Sequence, residues 1–469
     1  MVSITFYGGV NEIGGNAVLL EDKDTKVLVD FGLCYRKYGM FFEEYLKPRV
    51  ANGFCDLLEL ELIPMIEGAY RSDLLELAGK KAHEEPSLDG VLLSHVHYDH
   101  SSFISFLDER IPVYCSDITK AIAKALMESG KRDLLAEIYN FKRRPILSMR
   151  DKPVFRSFKT EEISKGERFR IGELEITPFS VDHSVPGANA FLIETSAGNI
   201  FYTGDFRLHG RDAEFTKKCI ESAACEDIEL LITEGTRVHQ EERQSEEDVK
   251  LKSKQEISGA KSLAIADFAF KDTSRFKTFY EVAGELGREL AIPLRHAYLY
   301  RELKKAGLEL PDIKSENILL YKEKKRSGTY REEDYESWEK DFLDFENCVD
   351  ASFVQKNQSK IIICLGFYEV NELIDLKPGE GSVYIHSSSE AHNEEQVIDQ
   401  KRLDNWLDFF RLKKHHFHAS GHASAGDLRE LISALKPKKV TPIHTNFPEE
   451  FKKYHENVRI VEEKERIEL

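Results

Sequence analysis

The chain has 469 residues, 41% hydrophobic and 32% charged, which by length is about two or three domains with cores of their own. A formal net charge of −17 excludes non-specific coating of nucleic acid through a basic surface, so a polyanion must be met at local patches such as residues 142–144, 413–414 and 436–439. No stretch approaches the roughly 20 apolar residues of a membrane span, and the N-terminus MVSITFYGGVNEIGG lacks the basic and apolar regions of a secretory signal. Seven scattered cysteines form no CxxC pair, which predicts free thiols in a reducing cytoplasm.

Short apolar runs between turns rich in Gly, Asn or Asp predict strands at residues 3–7, 17–21 and 26–31. Residues 89–94 predict another strand, and residues 117–129 a helix behind a capping Asp. Strands follow at 174–181, 190–194, 199–203 and 228–233. Meandering strands with few long helices predict sheets packed face to face and covered by helices. Near residue 236 the texture changes. Residues 236–256 are highly charged and almost free of large apolar side chains, which predicts a linker or exposed loop. Strand 262–270, helix 273–287, strand 290–294 and helix 296–306 then alternate, a βαβ rhythm that predicts a parallel sheet of its own. Residues 321–345 predict an exposed helix, and strands follow at 360–365 and 381–385. After about residue 400 the first texture returns, with helices near 401–411 and 424–435 and a strand at 440–443. The expected organisation is α/β, with residues 1–235 and 401–469 forming a host domain and residues 236–400 an insertion.

The densest chemistry is His95-Val96-His97-Tyr98-Asp99-His100, directly after the apolar run 91–93. Imidazole and carboxylate are the ligands that borderline divalent metals prefer. His95 and His97 are two apart, so on an extended chain they face one side. Further ligand types follow other apolar strands: His183 in FSVDHSVPGA, Asp205 in YTGDFR and His444 in TPIHTN. Singly, a strand-end Asp also caps turns and a lone His is often only hydrogen-bonded. Together, on strands that converge at one sheet edge, they predict a metal centre. The stretch 33–88 carries Tyr35, Tyr38, Tyr45 and Tyr70 with Arg36, Arg49 and Arg71, types that stack on bases or pack as core or lid.

HVHYDH, followed in order by HSVPGA, TGDF, TEGT, ASGHAS and PIHT, resembles the metallo-β-lactamase-fold hydrolases of the β-CASP group, and within them the RNase J-like ribonucleases of archaea and bacteria. GGVNEIGGN at residues 8–16 and VLVDFG at 27–32 resemble that family's opening. The resemblance implies an αββα sandwich interrupted by a β-CASP domain with a parallel sheet. It implies two divalent metals, zinc first and manganese as the other candidate. His95, His97, His183 and Asp205 would hold one, and Asp99, His100, Asp205 and His444 the other, with Asp205 bridging. Two cations about 3.5–4 Å apart lower the pKa of bound water and clamp a phosphodiester. Asp99, His422 and Glu234 are implied as catalytic residues. His422 would help protonate the leaving 3′ oxygen and Glu234 would orient it, a role suited to imidazole. Asp30 would support the metal loops. His444 at the third β-CASP motif is typical of RNA-directed members, whereas DNA-directed relatives usually carry valine there. His418, Ser420, Ser387 and Ser388 resemble a pocket for a 5′-terminal phosphate, with donor types that fit phosphate oxygens. The triple serine 387–389 also reads as a turn.

The function expected from this resemblance is hydrolysis of single-stranded RNA in processing or decay. It would act mainly 5′ to 3′ on 5′-monophosphate ends, with endonuclease activity left open. The partner is RNA, no membrane is implied, and a homodimer is left open. The alternatives are a small-ester or thioester hydrolase of the same fold, and a non-catalytic RNA-processing subunit.

Overall fold

The computed structural model describes residues 1–43, 45–130, 133–146, 151–389 and 394–469. The chain divides into two compact units. The first is Met1–Leu208, Asp212–Glu242 and Gly421–Leu469, and the second is His209–Arg211 and Arg243–Ser420.

The first unit holds two large sheets. One runs in the order Arg466–Glu468, Val2–Gly8, Ala17–Asp22, Thr25–Phe31, Gly90–Leu92, Val113–Tyr114 and Phe158–Lys159; the other in the order Lys439–Pro442, Ile228–Thr233, Gly198–Tyr202, Asn189–Thr195, Leu174–Ser180 and Phe169–Ile171. Alternate residues of each strand face the space between the sheets. Ile4, Phe6, Val18, Leu20, Val27 and Val29 from one side meet Ile176, Phe191, Ile193, Ile200 and Ile232 from the other in one buried cluster. Full burial of each such side chain is worth about 1.5–3 kcal/mol. The opposite parity of the second sheet, Ala190, Leu192, Phe201 and Leu231, packs under helices Ala213–Ala223 and Ala425–Leu435 through Ile220, Leu428, Leu431 and Ile432. This is the expected αββα sandwich.

The edge that carries the site follows from strand direction. Gly198–Tyr202, Ile228–Thr233 and Lys439–Pro442 run parallel, and Leu174–Ser180 is antiparallel to Asn189–Thr195, itself antiparallel to Gly198–Tyr202. All four strands therefore end at one edge, where His183, Asp205, Glu234 and His444 follow them.

The second unit is a seven-stranded sheet in the order Cys348–Val349, Ile318–Tyr321, Glu289–Pro293, Ile361–Cys364, Ala264–Asp267, Val383–His386 and Lys413–His416. Every pairing in it is parallel. The unit extends to Ser420 because helix Glu394–Phe409 buries Leu403 and Leu407 in its core and Lys413–His416 pairs with Val383–His386.

Three local expectations need correction. Residues 236–256 are not only linker. Ser245 and Asp248 form a reciprocal capping box, and Glu246–Ser258 is a helix that buries Val249, Ser253 and Ile257. One thin stripe at i, i+4 and i+8 is enough to dock it, and it gives little apolar signal. Residues 321–345 are not one helix: a turn at Ser327 and Gly328 confines the helix to Ser337–Leu343. The helix at Asp117–Ser129 is capped by Ser116, whose hydroxyl accepts from Thr119 N–H, rather than by Asp117.

Candidate metal centre

The strand-end ligands meet. His95 Nε2 and His183 Nε2 each lie 3.1 Å from His97 Nδ1. Asp205 Oδ2 lies 3.7 Å from His95 Nε2, 3.9 Å from His183 Nε2 and 3.1 Å from His100 Nε2. His444 Nε2 is 3.2 Å from Asp99 Oδ2 and 3.9 Å from Asp205 Oδ2. Nitrogen and oxygen ligands about 2.0–2.1 Å from a tetrahedral ion stand roughly 3.3 Å from one another, so these spacings fit metal coordination. Asp205 Oδ1 is buried without a hydrogen-bond donor, as expected of an acceptor whose partner is a cation. The residues therefore fit a divalent metal site.

In four of these rings the second nitrogen is held from behind. His183 Nδ1 donates to Gly421 O at 2.6 Å, and His100 Nδ1 donates to Asp30 Oδ2 at 2.8 Å. His95 Nδ1 lies 3.1 Å from Ser94 Oγ, and His444 Nδ1 lies 2.8 Å from Thr236 Oγ1. Such contacts fix ring orientation and leave the other nitrogen for a metal. Asp30 is the hub, accepting from Ser94 N–H, Ser94 Oγ and the Tyr202 hydroxyl, each at 2.7 Å. Asp30 and His444 both adopt left-handed backbone, φ 54° and 52°. Such conformations cost energy in non-glycine residues and persist where the surroundings hold them. Gly32 is required: a Cβ there would sit 2.0 Å from the Asp99 carbonyl oxygen.

Electrostatics divide the cluster. Burial, with the neighbouring His100 and His183 charges, keeps His95 neutral well below its ordinary range. Burial likewise pushes His183 down to about 3. Burial opposes charge on His100 too, but Asp205 and Asp30 outweigh it and hold that imidazole well above the usual range. Burial disfavours the Asp205 carboxylate, yet the His100, His444 and His422 imidazoles hold it well below the ordinary carboxylate range.

Glu234 and His422 stand beside the cluster. Glu234 accepts from the N–H groups of Phe206, Thr236 and Ala423 at 3.1, 3.2 and 3.3 Å. His422 Nδ1 is 3.1 Å from Glu234 Oε2 and 3.7 Å from Asp205 Oδ2. Burial works against protonation of His422, but Glu234 and then Asp205 raise it to about 9.

The residues expected to hold a 5′ phosphate lie in the second unit. Ser387 Oγ donates to Phe417 O at 2.6 Å, and Ser387 O lies 3.3 Å from His418 Nδ1. Ser388 O is 3.0 Å from His416 Nε2, and Ser420 O is 3.0 Å from His209 Nε2. Burial and the nearby Arg275 push His418 down to about 3.

Sequence reasoning missed Arg275, the buried centre of this group. It bonds both Ser387 O and Oγ, reaches Ala419 O at 3.4 Å, and pairs with buried Glu246 at 3.0 Å. Arg71 was singled out only among the types of the stretch 33–88 that stack or pack, and Arg156 was missed. They lie 3.5 and 5.0 Å from the Phe141 ring centroid and donate to the Ser105 and Leu107 carbonyls, just past the turn that carries Asp99 and His100. Asn16, with Nδ2 3.0 Å from His100 Nε2, and Thr236 were within reach, because both sit inside quoted motifs.

This fold and ligand cluster define a metal-dependent hydrolase of the metallo-β-lactamase class. Residues 70–268 match the family described as beta-lactamase superfamily domain, and residues 410–464 match the Zn-dependent metallo-hydrolase RNA specificity domain. Ribonuclease J of Thermus thermophilus is 24% identical over 459 residues, covering 94% of this chain and 68% of that protein. Ribonuclease J of Pyrococcus abyssi is 24% identical over 462 residues, covering 95% of this chain and 90% of that one. A crystal structure of a protein of unknown function from Enterococcus faecalis shares the fold, with a TM-score of 0.72, 24% identity and 99% of both chains covered. Together the two matched domains and these relatives support a β-CASP, RNase J-like protein with the metallo-β-lactamase fold.

Proposed function

We propose that the protein is a metal-dependent ribonuclease that hydrolyses single-stranded RNA, mainly 5′ to 3′ from 5′-monophosphate ends and with endonuclease activity as a second mode. The observation that carries this reading is the pairing of half-buried His422 with buried Glu234, with His422 Nδ1 3.7 Å from Asp205 Oδ2. It sets a protonated imidazole beside the ligand cluster, where a leaving oxyanion needs an acid.

In this reading His95, His97, His183 and Asp205 hold one metal, and Asp99, His100, His444 and Asp205 hold a second. Zinc suits the nitrogen-rich set, with manganese the alternative at the other. Divalent cations there supply an activated water and neutralise charge on the phosphodiester. Asp30 holds His100 and Ser94 in place. His422 keeps a proton for the leaving 3′ oxygen, and Glu234 orients the ring. The second unit is the inserted β-CASP domain, and His418, Ser420, Ser387 and Ser388 receive the 5′ phosphate around Arg275. Free cysteines, four of them buried, support a cytoplasmic location.

The test is digestion of one RNA carrying a 5′-monophosphate, 5′-triphosphate or 5′-hydroxyl, labelled at each end in turn, beside a chromogenic ester. Mononucleotides released only from the monophosphate form are expected. Internal fragments whatever the 5′ end would remove the exonuclease assignment. Ester turnover without RNA cleavage would favour the small-molecule hydrolase.

A further inference from the structure

Residues 35–43 and 45–50 spring from the wall of the metal centre and, apart from the buried Phe42, leave their large side chains at least partly exposed. Its root is fixed: Leu33 N–H donates to Tyr98 O at 3.0 Å, and Asn16 N–H to Asp99 O at 2.9 Å. The short helix Tyr35–Gly39 that follows buries no side chain. Tyr35 is 50% exposed, Met40 72% and Tyr45 85%. The stretch 33–88 thus divides. Tyr70 and Arg71 are buried, whereas Tyr35, Arg36, Tyr45 and Lys47 face water.

Large exposed apolar groups in a contiguous segment mark an interaction site. Here charge interrupts the exposed apolar groups Met40, Phe41, Leu46 and Val50: Arg36 lies beside Tyr35, Lys47 and Arg49 follow Tyr45, and Glu43 is an exposed acid among them. An interface between copies favours a continuous apolar core from which charge, lysine above all, is depleted. Rings with cations are what a strand of nucleic acid uses, a π-face for each base and a charge for each phosphate. In a chain of net charge −17, such a surface adjoining the ligand cluster has a use at that position.

We propose that Tyr35 and Tyr45, with Arg36 and Lys47, form a guide surface that holds single-stranded RNA against the metal centre, the rings stacking on bases and the cations meeting phosphates. This rests on the ribonuclease reading above.

The experiment compares steady-state cleavage of one single-stranded RNA by wild type and by Tyr45→Ala, Tyr45→Leu and Tyr45→Phe. Loss of one stacked base is expected to raise KM by about 5- to 150-fold in Tyr45→Ala and Tyr45→Leu, with the loss in KM rather than in kcat. Tyr45→Phe should keep the wild-type KM. Wild-type KM in Tyr45→Leu would overturn stacking, and wild-type KM in Tyr45→Ala would overturn the surface. A Tyr45→Ala protein that dissociates from dimer to monomer at unchanged KM would reassign the face to a second copy. Wild type that cuts no RNA, yet binds it by fluorescence anisotropy in a Tyr45-dependent way, would sink the ribonuclease reading and leave the surface standing.

Discussion

Glu234 Oε2 lies 3.1 Å from His422 Nδ1, inside a frame of three backbone N–H groups that fixes the carboxylate. The pair raises His422 to about 9 against the effect of burial. A raised pKa keeps the acid form present below it and loses that form as pH rises through it. Activity should therefore show an alkaline limb, at or below about pH 9, because cations at Asp205 offset part of the charge that raises His422. Glu234→Gln removes the largest favourable charge and should move the limb to lower pH. Identical pH–rate profiles for the two proteins would refute His422 as the acid.

The two ligand sets should differ in their response to acid. His95 and His183 are held neutral, His183 down to about 3, so they accept a metal without losing a proton. His100 is held well above its usual range by Asp205 and Asp30, so a metal there must displace one. Binding at the Asp99, His100 and His444 set should weaken as pH falls from 8 to 6, while binding at the His95, His97 and His183 set holds. Calorimetric titration in buffers of different ionisation enthalpy reads the proton release directly. Chelation should abolish activity, and His97→Ala or Asp205→Ala should not recover it on metal addition.

Asp30→Asn tests the hub behind the ligands. It removes the charge that holds His100 while nearly preserving shape. Outer partners of this kind are worth about 10–100-fold in metal affinity, and the loss should fall on the set containing His100. Competition with a chromophoric chelator measures it. Equal affinity at both sites in mutant and wild type would rule out the support role.

In the second unit, Arg275→Met removes the guanidinium from buried Glu246, which costs about 3–5 kcal/mol of stability. The milder Arg275→Lys keeps the charge and loses the forked contacts to Ser387 O, Ser387 Oγ and Ala419 O. Denaturant unfolding should rank wild type above Lys above Met. Preference for 5′-monophosphate over 5′-hydroxyl RNA should fall in Arg275→Lys, and an unchanged preference would detach the phosphate pocket from this arginine.

What was legible in the sequence were ligand types concentrated where apolar runs stop. His95, His183, Asp205 and His444 each follow a strand whose alternation is visible, and the strand directions bring their ends to one edge. Arg275 and Glu246 were not legible, because a buried ion pair 29 positions apart leaves no local pattern. Arg156 looks like ordinary surface charge in the sequence, and nothing local joins it to Phe141 and Arg71. Helix Glu246–Ser258 hid because its capping box and four buried side chains sit among charged residues.

The order of ligands along the chain has a consequence for the protein's own synthesis. The set runs from His95 to His444, and the last member arrives only after the whole second unit has been made. At about 5–20 residues per second, a ribosome needs on the order of half a minute to more than a minute to deliver it. Until then the nascent polypeptide lacks one imidazole and the edge strand that aims it. The complete ligand set of this hydrolase therefore exists only in a chain whose second unit has already been made.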